Sequence, residues 1–106
     1  MIVLDDRPKD SSLVRLKDSI VEVTISVVGD LMCHMPQANN AKTDSGYDFL
    51  PSFVFVKPYL EEADFTIGNL ELTCAGQEKG YSGYPNFNAP DEYIVALKKT
   101  GFDFLV

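Results

Sequence analysis

The chain has 106 residues, of which 45% are hydrophobic, 24% charged and 11% aromatic, and its net charge is −7. This composition is typical of one globular domain or part of one, and it excludes a wholly disordered chain. The apolar runs are far too short to span a bilayer. Nine Lys and Arg residues against sixteen Asp and Glu residues leave no basic stripe, so we expect neither nucleic acid nor an anionic membrane surface as a partner. A cationic ligand or bound metal ions suit this charge better.

Residues 1–20 are predicted to form a charged linker or N-terminal extension. Residues 1–9 lack the hydrophobic centre and the small-residue cleavage pattern of a secretory signal. We therefore expect no export signal or anchor within the chain as given. We expect the protein to be either cytoplasmic or a fragment whose signal was removed.

Three strands are predicted, over residues 21–28, 64–70 and 102–106. The first is the clearest, because apolar and polar residues alternate in it and β-branched residues dominate. Gly29 follows it and is expected to turn the backbone, which leaves the Asp30 carboxylate near the carboxyl end of the strand.

Two helical segments are predicted between the strands. In residues 48–63, apolar side chains at three- and four-residue spacing are expected to form one buried stripe, which consists of Phe49, Phe53, Val56 and Leu60. Pro58 either kinks this helix or starts a second one. The second helix begins at Pro90 and runs through Lys99, with Gly101 as its stop. Polar loops are expected over residues 36–47 and 73–89.

The element order β-α-β-α-β predicts an α/β fold with a parallel sheet and right-handed crossovers. In such sheets ligands bind beyond the carboxyl ends of the strands, where Asp30, His34, Asn69 and Glu71 fall. Carboxylate, imidazole and amide groups together hold divalent metals such as Mg, Mn, Fe or Zn. The alternatives are a simple Asx turn at Asp30 and an ordinary surface or core position for His34.

Two further features leave alternatives open. Cys33 and Cys74 each lie three residues past a candidate site residue, so they either form one disulfide or remain two free, partly buried thiols. Tyr81, Tyr84 and Phe87 in the long loop line a groove for sugar or peptide, or else form an apolar lid over one face of the sheet.

Four ordered blocks resemble the opening of the bacterial capsule synthesis protein CapA family, which is linked to poly-gamma-glutamate capsule production. They are residues 27–32 (VVGDLM), 62–71 (EADFTIGNLE), 87–90 (FNAP) and 96–106 (ALKKTGFDFLV). The resemblance covers residues 21–106, which we therefore interpret as the N-terminal part of a CapA-like domain. Four blocks in the same order are far more specific than any one of them.

That family is similar to the calcineurin-like metallophosphoesterases, so the resemblance implies a four-layer α/β/β/α sandwich with a two-metal centre. By it, Asp30, Asn69 and Glu71 match metal ligands, and Asn69 also matches an oxyanion donor. His34 is implied as an acid or a ligand, although it lies four residues after Asp30 where the phosphoesterases place a His two residues after. The resemblance also implies an envelope or extracellular location for the parent protein.

The family continues with an Ala-Asn-Asn-His block after the strand that ends at Val106, and this block is absent here. We therefore expect a half-sheet with little or no catalysis of its own, because Asp30, Asn69 and Glu71 leave most of a two-metal coordination sphere to water. We also expect self-association through an exposed sheet edge or face.

Two functions from different classes follow. The first is a metal-dependent hydrolase or transferase of cell-envelope polymer metabolism, acting on a phosphoester. The second is a non-catalytic envelope component that helps to assemble or export an anionic polymer such as poly-gamma-glutamate. A third interpretation is a small α/β fragment without activity.

Overall fold

The computed structural model describes residues 19–106, so the linker predicted for residues 1–20 lies outside the described residues except at its last two positions. The strands and helices follow one another in the order β1 (Ile25–Leu31), α1 (Met35–Ala41), β2 (Lys42–Thr43), β3 (Gly46–Tyr47), α2 (Leu50–Phe53), α3 (Lys57–Glu61), β4 (Phe65–Leu70), α4 (Asp91–Thr100) and β5 (Phe104–Leu105).

The main sheet has the order β1-β4-β5, and both of its pairings are parallel. The α/β fold with a parallel sheet is therefore confirmed. Strands β2 and β3 form a separate antiparallel hairpin of two residues on each side. The wider four-layer sandwich that the resemblance implies stays a prediction.

The first strand begins at Ile25 and ends at Leu31, so residues 21–24 of the strand predicted over 21–28 lie outside it, and β1 contains an irregularity. Val27 pairs with Ile67, but the next pair is Asp30 with Asn69, so β1 has one residue more than β4 across this step. Such a β-bulge turns the side chains that follow it to the other face of the sheet. Gly29 therefore lies inside β1 instead of turning the chain at its end, and the prediction of a turn there was wrong.

The segment predicted as a polar loop over residues 36–47 is instead α1 followed by the β2–β3 hairpin. Pro36 occupies the first turn of α1, where a missing N–H costs nothing. The Gln37 side chain accepts a hydrogen bond from the His34 backbone N–H at 3.1 Å. The buried face of this helix consists only of Ala38 and Ala41, which is too small an apolar signal for the sequence pattern to show.

The helix predicted over residues 48–63 divides into α2 and α3, with Pro58 in the first turn of the second one. Pro58 thus starts a new helix, as one of the two alternatives predicted. Phe49 and Leu60 are buried. Val56 is 46% exposed, because the chain turns between the two short helices, and its place in the buried stripe was wrong.

The helix predicted from Pro90 through Lys99 is confirmed as α4, which ends where Gly101 adopts a φ of 122°. Tyr93 on this helix is 2% exposed, and its ring meets that of Phe49 edge to face at 5.2 Å. Its hydroxyl donates to the Met32 carbonyl at 2.9 Å. Burial, and to a lesser extent the nearby Cys33, raises the pKa of Tyr93 to about 12, so the hydroxyl stays a donor. This residue ties α4 to the segment that follows β1.

Helices cover one face of the main sheet, and the opposite face is largely exposed. Thr66 is fully buried, and its hydroxyl donates to the Leu60 carbonyl at 2.8 Å, so this face packs against the helices. Val27, Ile67 and Phe104 stand in one row across the opposite face, where Val27 is 71% and Phe104 52% exposed. The expectation that such a surface drives self-association stays a prediction.

Gly68 in β4 has no room for a side chain. A Cβ atom there would lie 2.5 Å from Leu31 Cδ1 and 2.8 Å from Phe102 Cε1. We expect Gly68→Ala to lower the free energy of unfolding by about 1–3 kcal/mol, as overpacking does. Gly29→Ala is the matched control, because no atom lies within 4 Å of its Cβ position. Urea denaturation measures both variants, and equal stabilities would contradict the packing described here.

Asp64 holds the start of β1 against β4, since its Oδ2 accepts hydrogen bonds from the Thr24 backbone N–H at 2.9 Å and from the Thr24 hydroxyl at 3.0 Å. These bonds lower the pKa of Asp64 below its ordinary value of 3.8. Their stabilising effect is therefore present above pH 3.8 and is lost as the pH falls through the lower folded-state pKa.

We expect Asp64→Asn to lose less stability than the parent chain when the pH falls from about 5 to about 2, because the titrating group is gone. Thermal unfolding at a series of pH values measures this. Asp44→Asn, at an exposed position of the β2–β3 turn, should follow the parent chain. An unchanged pH dependence in Asp64→Asn would show that other carboxylates set the acid sensitivity.

Candidate functional site

Asn69 bridges two carboxylates at the carboxyl ends of β1 and β4. Its Nδ2 donates to Asp30 Oδ1 at 2.7 Å and to Glu71 Oε2 at 2.9 Å. Asp30 reaches this position because the bulge in β1 aligns it with Asn69, and Glu71 lies two residues further along the same side of the chain. The Glu71 backbone N–H donates to the Leu31 carbonyl at 3.1 Å, which continues the pairing of the two strands. Three of the four predicted site residues thus form one cluster.

The fourth, His34, is not part of this hydrogen-bonded set and contacts Phe87 instead. It is exposed at the start of α1, and its ring meets the Phe87 ring edge to face with centroids 5.1 Å apart. The segment after β1 and the long loop also approach each other closely here. A Cβ atom on Gly83 would lie 3.3 Å from the Met35 backbone nitrogen.

The long loop over residues 73–89 is held in place by Asn88, a residue that sequence analysis did not select. Asn88 is 6% exposed, and its Oδ1 accepts from the Ala75 N–H at 2.7 Å. Its Nδ2 donates to the carbonyls of Gly76 and Gly80, both at 2.9 Å. The only signal in the sequence is an Asn within a Gly-rich segment, where side chains often bond to the backbone.

The three aromatic residues of the loop, Tyr81, Tyr84 and Phe87, do not together form either a ligand groove or an apolar lid. Tyr81 is half-buried and packs edge to face on Tyr47 at 5.4 Å. Phe87 and Glu71 both line an open groove of about 330 Å³, whereas Tyr84 is 83% exposed and contacts the Phe87 ring edge to face at 6.3 Å. Tyr81 is thus a packing residue, Phe87 lines the groove, and Tyr84 is exposed next to Phe87.

Both cysteines are free, so of the two alternatives the structure shows unpaired thiols. Cys33 is buried, and this burial raises its pKa to about 11, with a further contribution from Cys74. Partial burial, followed by the charge of Asp91, also raises the pKa of Cys74, which lies at the surface. Neither thiol is thereby activated as a nucleophile at neutral pH.

We expect a disulfide reagent such as DTNB to titrate one thiol quickly in the folded chain and two in the unfolded chain, since only Cys74 is exposed. The rate at Cys74 should rise between pH 7 and pH 9, because its thiolate forms only at raised pH. Cys74→Ser should abolish the fast phase, and Cys33→Ser should retain it. A fast phase that survives in Cys74→Ser would contradict the burial of Cys33.

The donor atoms of the cluster suit a hard divalent cation. Asp30 and Glu71 offer carboxylate oxygens that converge on Asn69 Nδ2, and a rotation of the Asn69 amide by about 180° would place its oxygen there as a third oxygen ligand. Oxygen donors of this kind hold Mg or Mn. Within residues 19–106, no three His, Cys, Asp or Glu side chains are grouped as a metal ion would require. The fit therefore depends on the amide as the third donor.

No helix in the described part of the chain has the length and hydrophobicity that a membrane crossing needs.

Neither the comparison with curated proteins nor that with solved structures finds a match. The family model of the bacterial capsule synthesis protein PGA_cap matches residues 24–106. This confirms the resemblance found in the four sequence blocks, and the chain therefore belongs to the PGA_cap family of bacterial capsule synthesis proteins.

Proposed function

We propose that this chain supplies part of the metal centre of a capsule synthesis protein that acts as a metal-dependent hydrolase or transferase on a phosphoester of a cell-envelope polymer. The observation that supports this most directly is the double hydrogen bond from Asn69 to Asp30 and Glu71. Two carboxylates of like charge repel each other when they share one donor, and a divalent cation between them removes that repulsion. Envelope or extracellular localisation is part of the same proposal.

Asp30 and Glu71 would hold the cation, with Asn69 as a third ligand or as a donor to negative charge that develops on the substrate. When bound, the cation polarises a phosphoryl oxygen or lowers the pKa of a bound water. Mg or Mn fits the oxygen donors better than Zn or Fe, which favour nitrogen and sulfur ligands. His34, exposed at the start of α1, is proposed as a proton donor or as a further ligand.

A two-metal centre needs ligands on both sides of the metal pair, and these three side chains fill only a small share of the coordination positions. We therefore propose that the 106 residues bind metal but turn over a phosphodiester slowly or not at all. The exposed groove next to Glu71 supports the alternative function, a non-catalytic component that binds an envelope polymer such as poly-gamma-glutamate during assembly or export.

A thermal shift experiment with Mn²⁺ or Mg²⁺ tests the metal site. A ligand that binds only the folded chain at ten times its Kd stabilises it by about 1.4 kcal/mol, which corresponds to a rise in Tm of roughly 5–10 °C for a domain of this size. We expect this rise for the parent chain and its loss in Asp30→Asn and Glu71→Gln, which keep the shape of each side chain and remove its charge.

Glu62→Gln is the matched control, because it removes the same charge from an exposed position at the end of α3. It should retain the full rise in Tm. An equal rise in Glu71→Gln and in the parent chain would place the cation elsewhere and contradict the proposed site. In the same samples, rapid metal-dependent hydrolysis of bis-p-nitrophenyl phosphate would contradict the proposed lack of turnover.

A further inference from the structure

Leu31 comes directly after Asp30 in the chain but lies on the helix-covered face of the sheet. Ser26, Val28 and Leu31 all line one cavity of about 410 Å³ between β1 and the helices α2 and α3. In a regular strand every second residue shares a face, so the position after Val28 on this face would belong to Asp30. The bulge gives that position to Leu31 and leaves the Asp30 carboxylate on the opposite face, where it meets Asn69.

Gly68 on β4 makes the room that Leu31 occupies. A Cβ atom on Gly68 would lie 2.5 Å from Leu31 Cδ1 and 2.8 Å from Phe102 Cε1. The missing side chain therefore leaves a notch, and the Leu31 side chain fills it beside the Phe102 ring. Leu31 also stands opposite Leu70, and both side chains pack against the hydrophobic core. An apolar contact thus fixes the end of β1 that follows the bulge.

The bulge costs stability, because it leaves one residue of β1 unpaired and interrupts the ladder of hydrogen bonds. Burial of the Leu31 side chain in the notch offsets this cost. With regular pairing, Leu31 would lie on the exposed face, and the Asp30 carboxylate would enter the cavity in its place. No Lys, Arg or His of residues 19–106 lines this cavity, so the carboxylate would lose hydration there without a cationic partner. An Asp followed by a Leu at these two positions therefore favours the bulge.

From this packing we propose that Leu31 is a positioning residue of the candidate metal site. Its side chain, held in the notch over Gly68, stabilises the bulge that brings Asp30 into register with Asn69. Leu31 lies on the other face of the sheet from these two side chains, so it acts through the strand register alone. The inference rests on the proposed function in that Asp30 is a metal ligand, whereas the register itself is measurable without metal.

Two substitutions act on the notch from its two sides. Leu31→Ala empties it, and Gly68→Ala blocks it from β4. Val28→Ala is the matched control, because it removes apolar atoms from the same cavity on the other side of the bulge. Leu31→Met refills the notch with a side chain of similar volume and should behave as the parent chain does.

Each variant is compared with the parent chain at a temperature at which circular dichroism shows it to be folded. NMR on the metal-free chain measures the nuclear Overhauser contacts between Asp30 and Asn69, and electron paramagnetic resonance measures the Kd for Mn²⁺. In Leu31→Ala and Gly68→Ala we expect the contacts to weaken and the Kd to rise about 10–100-fold, as when a residue that orients a metal ligand is replaced. In Val28→Ala and Leu31→Met both should stay as in the parent chain.

Contacts between Asp30 and Asn69 that persist at full strength in a folded Leu31→Ala or Gly68→Ala chain would overturn the inference. Equal losses in Val28→Ala would do the same, since a general weakening of the core would then explain them. Weaker contacts with an unchanged Kd for Mn²⁺ would show that the register does not position a metal ligand. A parent chain that shows the contacts but binds no Mn²⁺ overturns the metal centre alone, because the contacts in the variants still decide the role of Leu31.

Discussion

The one-residue bulge in β1 is the constraint on which the candidate site depends. With regular pairing after Val27, Gly29 would stand opposite Asn69, and the Asp30 carboxylate would point to the helix-covered face of the sheet. The extra residue brings Asp30 into register with Asn69, on the side where Glu71 also lies. Nothing else in the described residues brings these two carboxylates to one amide. The register of β1 against β4 therefore decides whether these side chains meet, and their chemistry matters only once they do.

The helices that pack on the sheet hold the segment after β1 in place. The buried Tyr93 hydroxyl fixes the Met32 carbonyl, two residues after Asp30, and the ring of Tyr93 is clamped between Phe49 and Phe53. The same post-strand segment then meets the long loop through Gly83 and through the ring of Phe87. Packing in the core thus helps to set where the segment after β1 meets the long loop, next to the acidic cluster.

Sequence alone indicated the parallel sheet, helix α4 and the candidate residues Asp30, Asn69 and Glu71, because alternation, helix ends and chain order are local or topological signals. It did not indicate the bulge, since a strand's register depends on its partner. Helix α1 was not predicted, because it buries only Ala38 and Ala41. Val56 was wrongly predicted to be buried, because a turn interrupts the helical spacing between it and the preceding residues. The fixed conformation of the long loop could not be predicted from the sequence either, because Asn88 holds it through hydrogen bonds to backbone groups up to thirteen residues away.

The anchoring of the long loop by Asn88 has a consequence for how such a protein tolerates change. Its three hydrogen bonds close the chain on itself at Ala75, Gly76 and Gly80, so the 3-10 turn Gln77–Lys79 projects outside the closed frame. Residues inserted or deleted at that tip leave the frame and the groove wall where they are, because loop length costs little once the ends are fixed. Relatives could thus diversify the tip without losing the groove, whereas replacement of Asn88 would release both at once.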